Sequence, residues 1–175
     1  MSSGAEQKDA IFFTAGRKDP FSTLSNFHPV PIVMYERHYN SMEHYYQAMK
    51  FEISDPYWAD EIACADSAPI AKALGRSRIH LVRKDWENVK LDMMEKGLRV
   101  KFSVEPARSL LLSTGTRPLY EYSSTDRFWG STRQFKGENH LGKLIMKIRA
   151  ELVAADAAAP PPAPKTKKPR ITAPQ

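Results

Sequence analysis

The sequence predicts a mostly α-helical single domain with a few short β-strands. Three observations predict it. Apolar residues recur at helical spacing in two segments, Met42, Tyr45, Met49 and Ile53 in the first, and Leu141, Leu144, Ile145, Ile148 and Leu152 in the second. Helix-start and helix-stop signals punctuate the stretch between them: Asp55-Pro56, Ser67 with Pro69, Gly75, Asp85 and Pro106. Strand-like runs are few and short.

Taken in order, residues 1–9 read as a flexible leader. Ala10–Gly16 (AIFFTAG) and Pro31–Tyr35 (PIVMY) read as strands, joined by a loop rich in turn residues. A helix is expected over Ser41–Ile53, with Asn40 able to cap it. A second helix should cover Pro56–Ala65 behind an Asp55 cap. A third, short one should start at Ser67 and Pro69 and end at Gly75. Asp85 can cap a long helix from Trp86 to about Val100, whose last turns Gly97 weakens. Pro106–Ser113 reads as a fifth helix, and Pro118–Tyr122 as a short strand. Asn139 can cap a final amphipathic helix. The folded domain is expected over 10–154. From 155 onward the composition turns to alanine, proline and lysine, which predicts a disordered tail.

Composition excludes several classes. Hydrophobic residues make up 42% of the 175, enough for one packed core. The single cysteine, Cys64, leaves no intramolecular disulfide, and the five scattered histidines give no metal ligand set. No cofactor is called for. No apolar run approaches the roughly 20 residues of a membrane span, and the first ten residues hold no apolar signal core. An intracellular monomer is expected. The formal net charge is +6, yet four of the cations (Lys165, Lys167, Lys168, Arg170) lie in the tail, leaving the rest at +2. A broad phosphate-backbone surface is therefore not indicated. The tail segment KTKKPR resembles a nuclear import signal, so a nuclear or cytoplasmic location is expected; a solvated basic tail reads equally well.

The chemistry concentrates in a few segments. In NSMEHYYQAMKF (Asn40–Phe51), Glu43, Tyr46, Gln47 and Lys50 recur at offsets of three, four and seven, forming a polar stripe beside the apolar one. An acid, a phenol, an amide and an amine in one row suit a pocket for a polar substrate. The plainer reading has Glu43 reaching back to the helix cap and Lys50 solvated near the helix end. Asp126 and Trp129-Gly130 lie in an irregular loop between helices, where a carboxylate and a flat apolar face can serve a base or sugar; they also suit a turn closure and a core plug. Trp86 stacks on a ligand or anchors its helix. Gly75-Arg76 offers close backbone approach and an arginine for phosphate. The helix start at Asn139 offers free amides to an anion. Arg17, with Ser25 and Asn26, can hold a ribose or phosphate.

The order of these segments is more specific than any one of them. FFTAGRKDPFSTLSNFHP, YNSMEHYYQAMKF, AKALGR, KDWENVKLDMMEKGLRVKF, LLLSTGTRPLYEYSSTDRFWG and GENHLGKLIMKIR together closely resemble the NADAR family, which includes the bacterial YbiA-type proteins. The likeness runs from about Phe12 to Leu152. One local departure concerns the turn near Glu36–Arg37, where the family often has glycine. The resemblance implies a compact, mostly helical fold and N-glycosidic hydrolysis, either of ADP-ribose on guanine bases of nucleic acid or of phosphoribosylamino-pyrimidine intermediates of riboflavin synthesis. Carried across, it marks Glu43, Lys50, Trp86, Asp126 and Trp129. Breaking a ribosyl C1′–N bond passes through an oxocarbenium-like state. Glu43 and Asp126 are expected to divide the carboxylate roles. Lys50 is expected to act as acid or as an amine attacking C1′. The basic tail favours ADP-ribosylated nucleic acid as partner, ahead of a small ribosyl-phosphate substrate; a non-catalytic ADP-ribose reader is the third possibility.

Overall fold

The computed structural model describes residues 9–16 and 18–158. The order of elements is β1 (Ile11–Phe13), a 3-10 turn (Ser22–Leu24), β2 (Ile32–Met34), β3 (Arg37–Tyr39), α1 (Met42–Ala48), α2 (Pro56–Ala63), α3 (Ala68–Leu74), α4 (Trp86–Lys101), α5 (Ala107–Ser113), β4 (Leu119–Glu121) and α6 (His140–Ala158). Helices thus dominate, as expected. β1 pairs parallel with β4, setting Phe13 opposite Glu121, while β2 and β3 form a separate antiparallel pair.

α1 is the hub. All seven of its residues are buried, and it packs on α2, α3 and α4. Met42, Tyr45 and Met49 point inward as the apolar stripe requires, but Ile53 is 69% exposed. The helix stops at Ala48, five residues short of the expected end. The chain then tightens into turns, the Phe51 amide donating to the Ala48 carbonyl, and Phe51 takes the buried place instead. The cap position belongs to Ser41 rather than Asn40, and its hydroxyl bonds the His44 ring (2.8 Å), not a backbone amide.

α2 and α3 start as their signals predict, with the Asp55 carboxylate accepting from the Trp58 amide. Asp85 does not cap α4: its carboxylate is taken by the Arg83 guanidinium at 2.6 and 2.8 Å. Gly97 does not weaken the helix but lets it approach α1. A Cβ there would lie 2.6 Å from two carbons of the Tyr45 ring. α4 and α6 are tied by Arg99 and Lys147, which share Glu95, with Arg99 also holding Glu151. α6 runs to Ala158, past the expected boundary at 154, and Asp156 pairs with Arg108 of α5.

Asn139 is the clearest correction. It caps nothing with its side chain. Its backbone is left-handed (φ 53°), and its amide spans to β4, donating to the Leu119 carbonyl (2.9 Å) and accepting from the Glu121 amide (3.2 Å). β3 was not expected at all. The β2–β3 connection turns through Tyr35 and Glu36, both with positive φ (53° and 61°). That is the geometry for which a hairpin turn prefers glycine or asparagine. Among the described residues no helix is long and apolar enough to cross a membrane.

Candidate active site

A cavity of about 280 Å³ opens where α1, α3 and α4 meet the end of β4 and the loop after it. α1 supplies Glu43, Tyr46 and Gln47, with Lys50 just beyond its end. All four residues of the polar stripe line the cavity. Burial of the apolar stripe on α2 and α4 turns the neighbouring face toward this space.

Glu43 is buried, and its Oε1 accepts from the Gln47 side-chain amide at 2.8 Å. Burial raises its carboxyl above the ordinary range, opposed by that hydrogen bond and by Lys72, Lys50 and Arg76. Lys50 donates to the Gly75 carbonyl (3.1 Å). Desolvation brings its ammonium down to about 8, against the pull of Glu43. Gly75 is required by packing rather than by dihedral freedom: a Cβ would sit 2.1 Å from Gln47 Oε1. Burial also raises the Tyr46 phenol.

The aromatic wall is continuous. The Tyr46 ring lies between Trp86 (5.1 Å) and Trp129 (5.4 Å, edge-on), and Phe128 packs on Trp129 at 5.0 Å. Asp126 anchors this loop, its Oδ1 accepting from the Phe128 and Trp129 amides at 3.1 and 2.9 Å. Asp126 is therefore both the turn-closing acid and a cavity wall, so the two readings of that segment are compatible. Asn26 completes the rim. Its Nδ2 contacts Met94 sulfur, and its buried Oδ1 has no donor among the described residues.

The structure thus brings together Asn26, Glu43, Tyr46, Gln47, Lys50, Arg76, Trp86, Asp126 and Trp129. It leaves out three expected residues. Ser25 is buried behind Asn26, its carbonyl held by the fully buried Lys101 (2.7 Å). Gly130 lies against β4, where a Cβ would stand 2.8 Å from the Glu121 carbonyl oxygen. Asn139 braces β4 and does not line the cavity, so the α6 start offers it no anion site. Arg17 lies outside the described residues.

Sequence reasoning missed Glu121, Lys72, Lys90 and Phe128 on the cavity wall. Lys72 had a signal, standing four residues before Arg76 and so on its side of the α3 end. Lys90 sits 3.9 Å over the Phe128 ring. Glu121 had none, because its place depends on pairing between residues more than a hundred apart. Burial, then the nearby Asp126 and Glu43, push its carboxyl up to about 7. Four carboxyl groups (Glu43, Glu87, Glu121, Asp126) thus share an aromatic-lined space with four cations (Lys50, Lys72, Arg76, Lys90), and exposed Glu87 is paired with Lys90 at 2.6 Å. Among the described residues no group of three His, Cys, Asp or Glu is placed to hold a metal.

Comparison with known proteins shows the family and the fold. The NADAR domain family model matches residues 12–153. The N-glycosidase YbiA of Escherichia coli (strain K12) is 37% identical over 146 residues, covering 83% of this chain and 90% of that protein. The riboflavin biosynthesis protein PYRR of Zea mays is 40% identical over 149 residues, which cover 77% of this chain but 24% of that longer protein. The solved NMR structure of E. coli YbiA superposes with a TM-score of 0.77 at 35% identity, over 89% of this chain and 92% of that one.

Proposed function

The chain belongs to the NADAR domain family, and from that premise we propose that it hydrolyses a C1′–N bond between a ribosyl phosphate and a nitrogenous base. The observation that carries the reading is that Glu43 and Asp126 share one aromatic-lined cavity with Lys50, Lys72 and Arg76. Departure of the base leaves positive charge spread over C1′ and the ring oxygen. Carboxylates at the reacting end oppose that charge, and cations at the other end hold phosphate. Asp126, fixed by two backbone donors, takes the electrostatic role. Glu43 accepts the proton of the attacking water. Lys50, Lys72 and Arg76 bind phosphate or ribose oxygens. Asn26 Oδ1, buried without a donor, is satisfied by a ribose hydroxyl. Trp86, Tyr46 and Trp129 form the apolar wall for the base.

For the substrate, we place ADP-ribose linked to guanine first. A cavity of about 280 Å³ is of a size for one ribose and one base, and exposed Arg76 at its rim offers a path outward for a pyrophosphate. The expected import-like tail lies outside the described residues and adds no structural support. Phosphoribosylamino-pyrimidine is the second reading, favoured by the enclosed volume and by the riboflavin-related name of the maize relative.

A mass-spectrometric turnover assay tests both. A DNA oligonucleotide carrying ADP-ribosyl-guanine and the phosphoribosylamino-pyrimidine are incubated separately with the wild type and with Glu43→Gln. Release of ADP-ribose by the wild type alone supports the first reading, and cleavage of the pyrimidine alone replaces it with the second. Binding of ADP-ribose without turnover of either would leave a reader and no hydrolase.

A further inference from the structure

The leaving nitrogen needs a proton, and two carboxyl groups of the cavity have no role above: Glu87, which is exposed and held by Lys90 (2.6 Å), and Glu121, which is free of any such partner among the described residues. Resting on the glycosidase reading, we propose that Glu121 is the acid that protonates the departing base. Its backbone is fixed on two sides: its amide donates to Asn139 Oδ1 (3.2 Å), and its carbonyl accepts from the Ser131 amide (2.8 Å). Pairing of β4 with β1 sets its register opposite Phe13. The side chain, by contrast, has no hydrogen-bond donor directed at it among the described residues, although it lines the cavity.

With exposed Glu87 taken by Lys90, the three remaining carboxyl groups differ in their surroundings. Asp126 has two backbone donors on one oxygen, and Glu43 has the Gln47 amide. Glu121 has none, and it faces both of the others. The charged groups around it come from several elements: Glu43 on α1, Lys72 on α3, Lys101 on α4 and Asp126 on the loop. The two acids and desolvation outweigh the two lysines and hold its proton up to about pH 7. A carboxyl group protonated near neutrality and fixed beside the reacting bond is the requirement for a general acid.

The step balances. The C1′–N electron pair stays on nitrogen, and nitrogen takes the Glu121 proton. Water adds its oxygen to C1′ and gives its proton to Glu43. That proton returns through solvent to Glu121, so the enzyme is restored and one water is consumed per bond broken.

The test is the pH dependence of kcat for wild type, Glu121→Gln, Glu121→Asp and Glu43→Gln, on whichever of the two substrates above the wild type cleaves. Thermal melts confirm that each variant folds. The wild type is expected to lose activity above about pH 7, as the acid loses its proton. Glu121→Gln should fall about 10²–10⁴-fold in kcat and lose that alkaline limb, while Glu121→Asp keeps the limb. Glu121→Gln activity within about threefold of wild type would overturn the assignment, as would a uniform loss with the limb intact. So would disappearance of the limb in Glu43→Gln instead. A wild type that cleaves neither substrate overturns the glycosidase reading itself, and the role of Glu121 falls with it.

Discussion

Replacing Gly97 with alanine sets two known effects against each other. Alanine in a helix interior is worth about 1 kcal/mol over glycine, so a reading of α4 alone expects stabilisation. The new methyl group would stand 2.6 Å from Cδ1 and Cε1 of Tyr45 and 2.8 Å from Met42 Cε. The methionine end can swing away. The tyrosine ring cannot, because it is fully buried and held edge-on against Tyr39 at 5.3 Å. Overpacking costs about 1–3 kcal/mol, and a rigid ring puts this case near the upper end. The net effect is destabilisation by about 2 kcal/mol. For a domain of this size that lowers Tm by about 4–8 °C. Urea and thermal unfolding of Gly97→Ala measure it. In a Tyr45→Leu background, where the ring is gone, the same substitution should be neutral or stabilising, a coupling of at least about 2 kcal/mol. A Gly97→Ala protein as stable as the parent would refute the reasoning, since the close approach of α4 to α1 would then not be what requires glycine.

Other outcomes follow from single residues. Glu36→Gly removes a left-handed non-glycine residue from the β2–β3 turn and should raise stability by about 0.5–1 kcal/mol, read as a small rise in Tm. Burial draws the Lys101 ammonium down to about 7, whereas an unfolded lysine keeps its proton to about 10.4. Between those values the unfolded chain binds the extra proton, so this residue makes stability rise with pH, by up to about 1.4 kcal/mol per unit. Urea unfolding at pH 7, 8 and 9 should show that slope in wild type relative to Lys101→Met; parallel curves would contradict it. Glu43→Gln should lose about 10²–10⁴-fold in kcat with a melting temperature equal to or above that of wild type, since the amide keeps the size of the side chain and carries no charge to desolvate. Trp129→Ala should raise KM by tenfold or more while sparing the fold, because that ring is only partly buried.

The site was legible where it is local. One helix carries Glu43, Tyr46 and Gln47, and the turn that follows it keeps Lys50 on the same side, as their spacing predicts. Asp126 and Trp129 were legible locally as a turn closure, which the Asp126 bonds to the Phe128 and Trp129 amides bear out, and as site residues only through the family resemblance. The inward place given to Ile53 was wrong because a helix stop at Ala48 carries neither glycine nor proline to announce it. Asn139 was misread for a related reason. Its residue type suits a cap, and only the fold shows β4 close enough to claim both ends of its amide. Glu121 was invisible for the strongest reason: a glutamate inside LYE is an ordinary strand residue until β1 fixes which way that strand faces.

The complete burial of α1 bears on how this protein can change over time. Most helices keep a solvent side on which substitutions drift freely; Met42–Ala48 has none. Met42 and Tyr45 are held by α4, the His44 ring by the Ala65 carbonyl, and Glu43, Tyr46 and Gln47 by the cavity. A saturation scan of the whole chain should therefore show seven consecutive intolerant positions there, without the three-to-four-residue rhythm of tolerance seen along α4 or α6. Divergence in substrate choice must come from the surrounding rim, at α3 and the loop after β4, rather than from the helix that lies at the centre of the site.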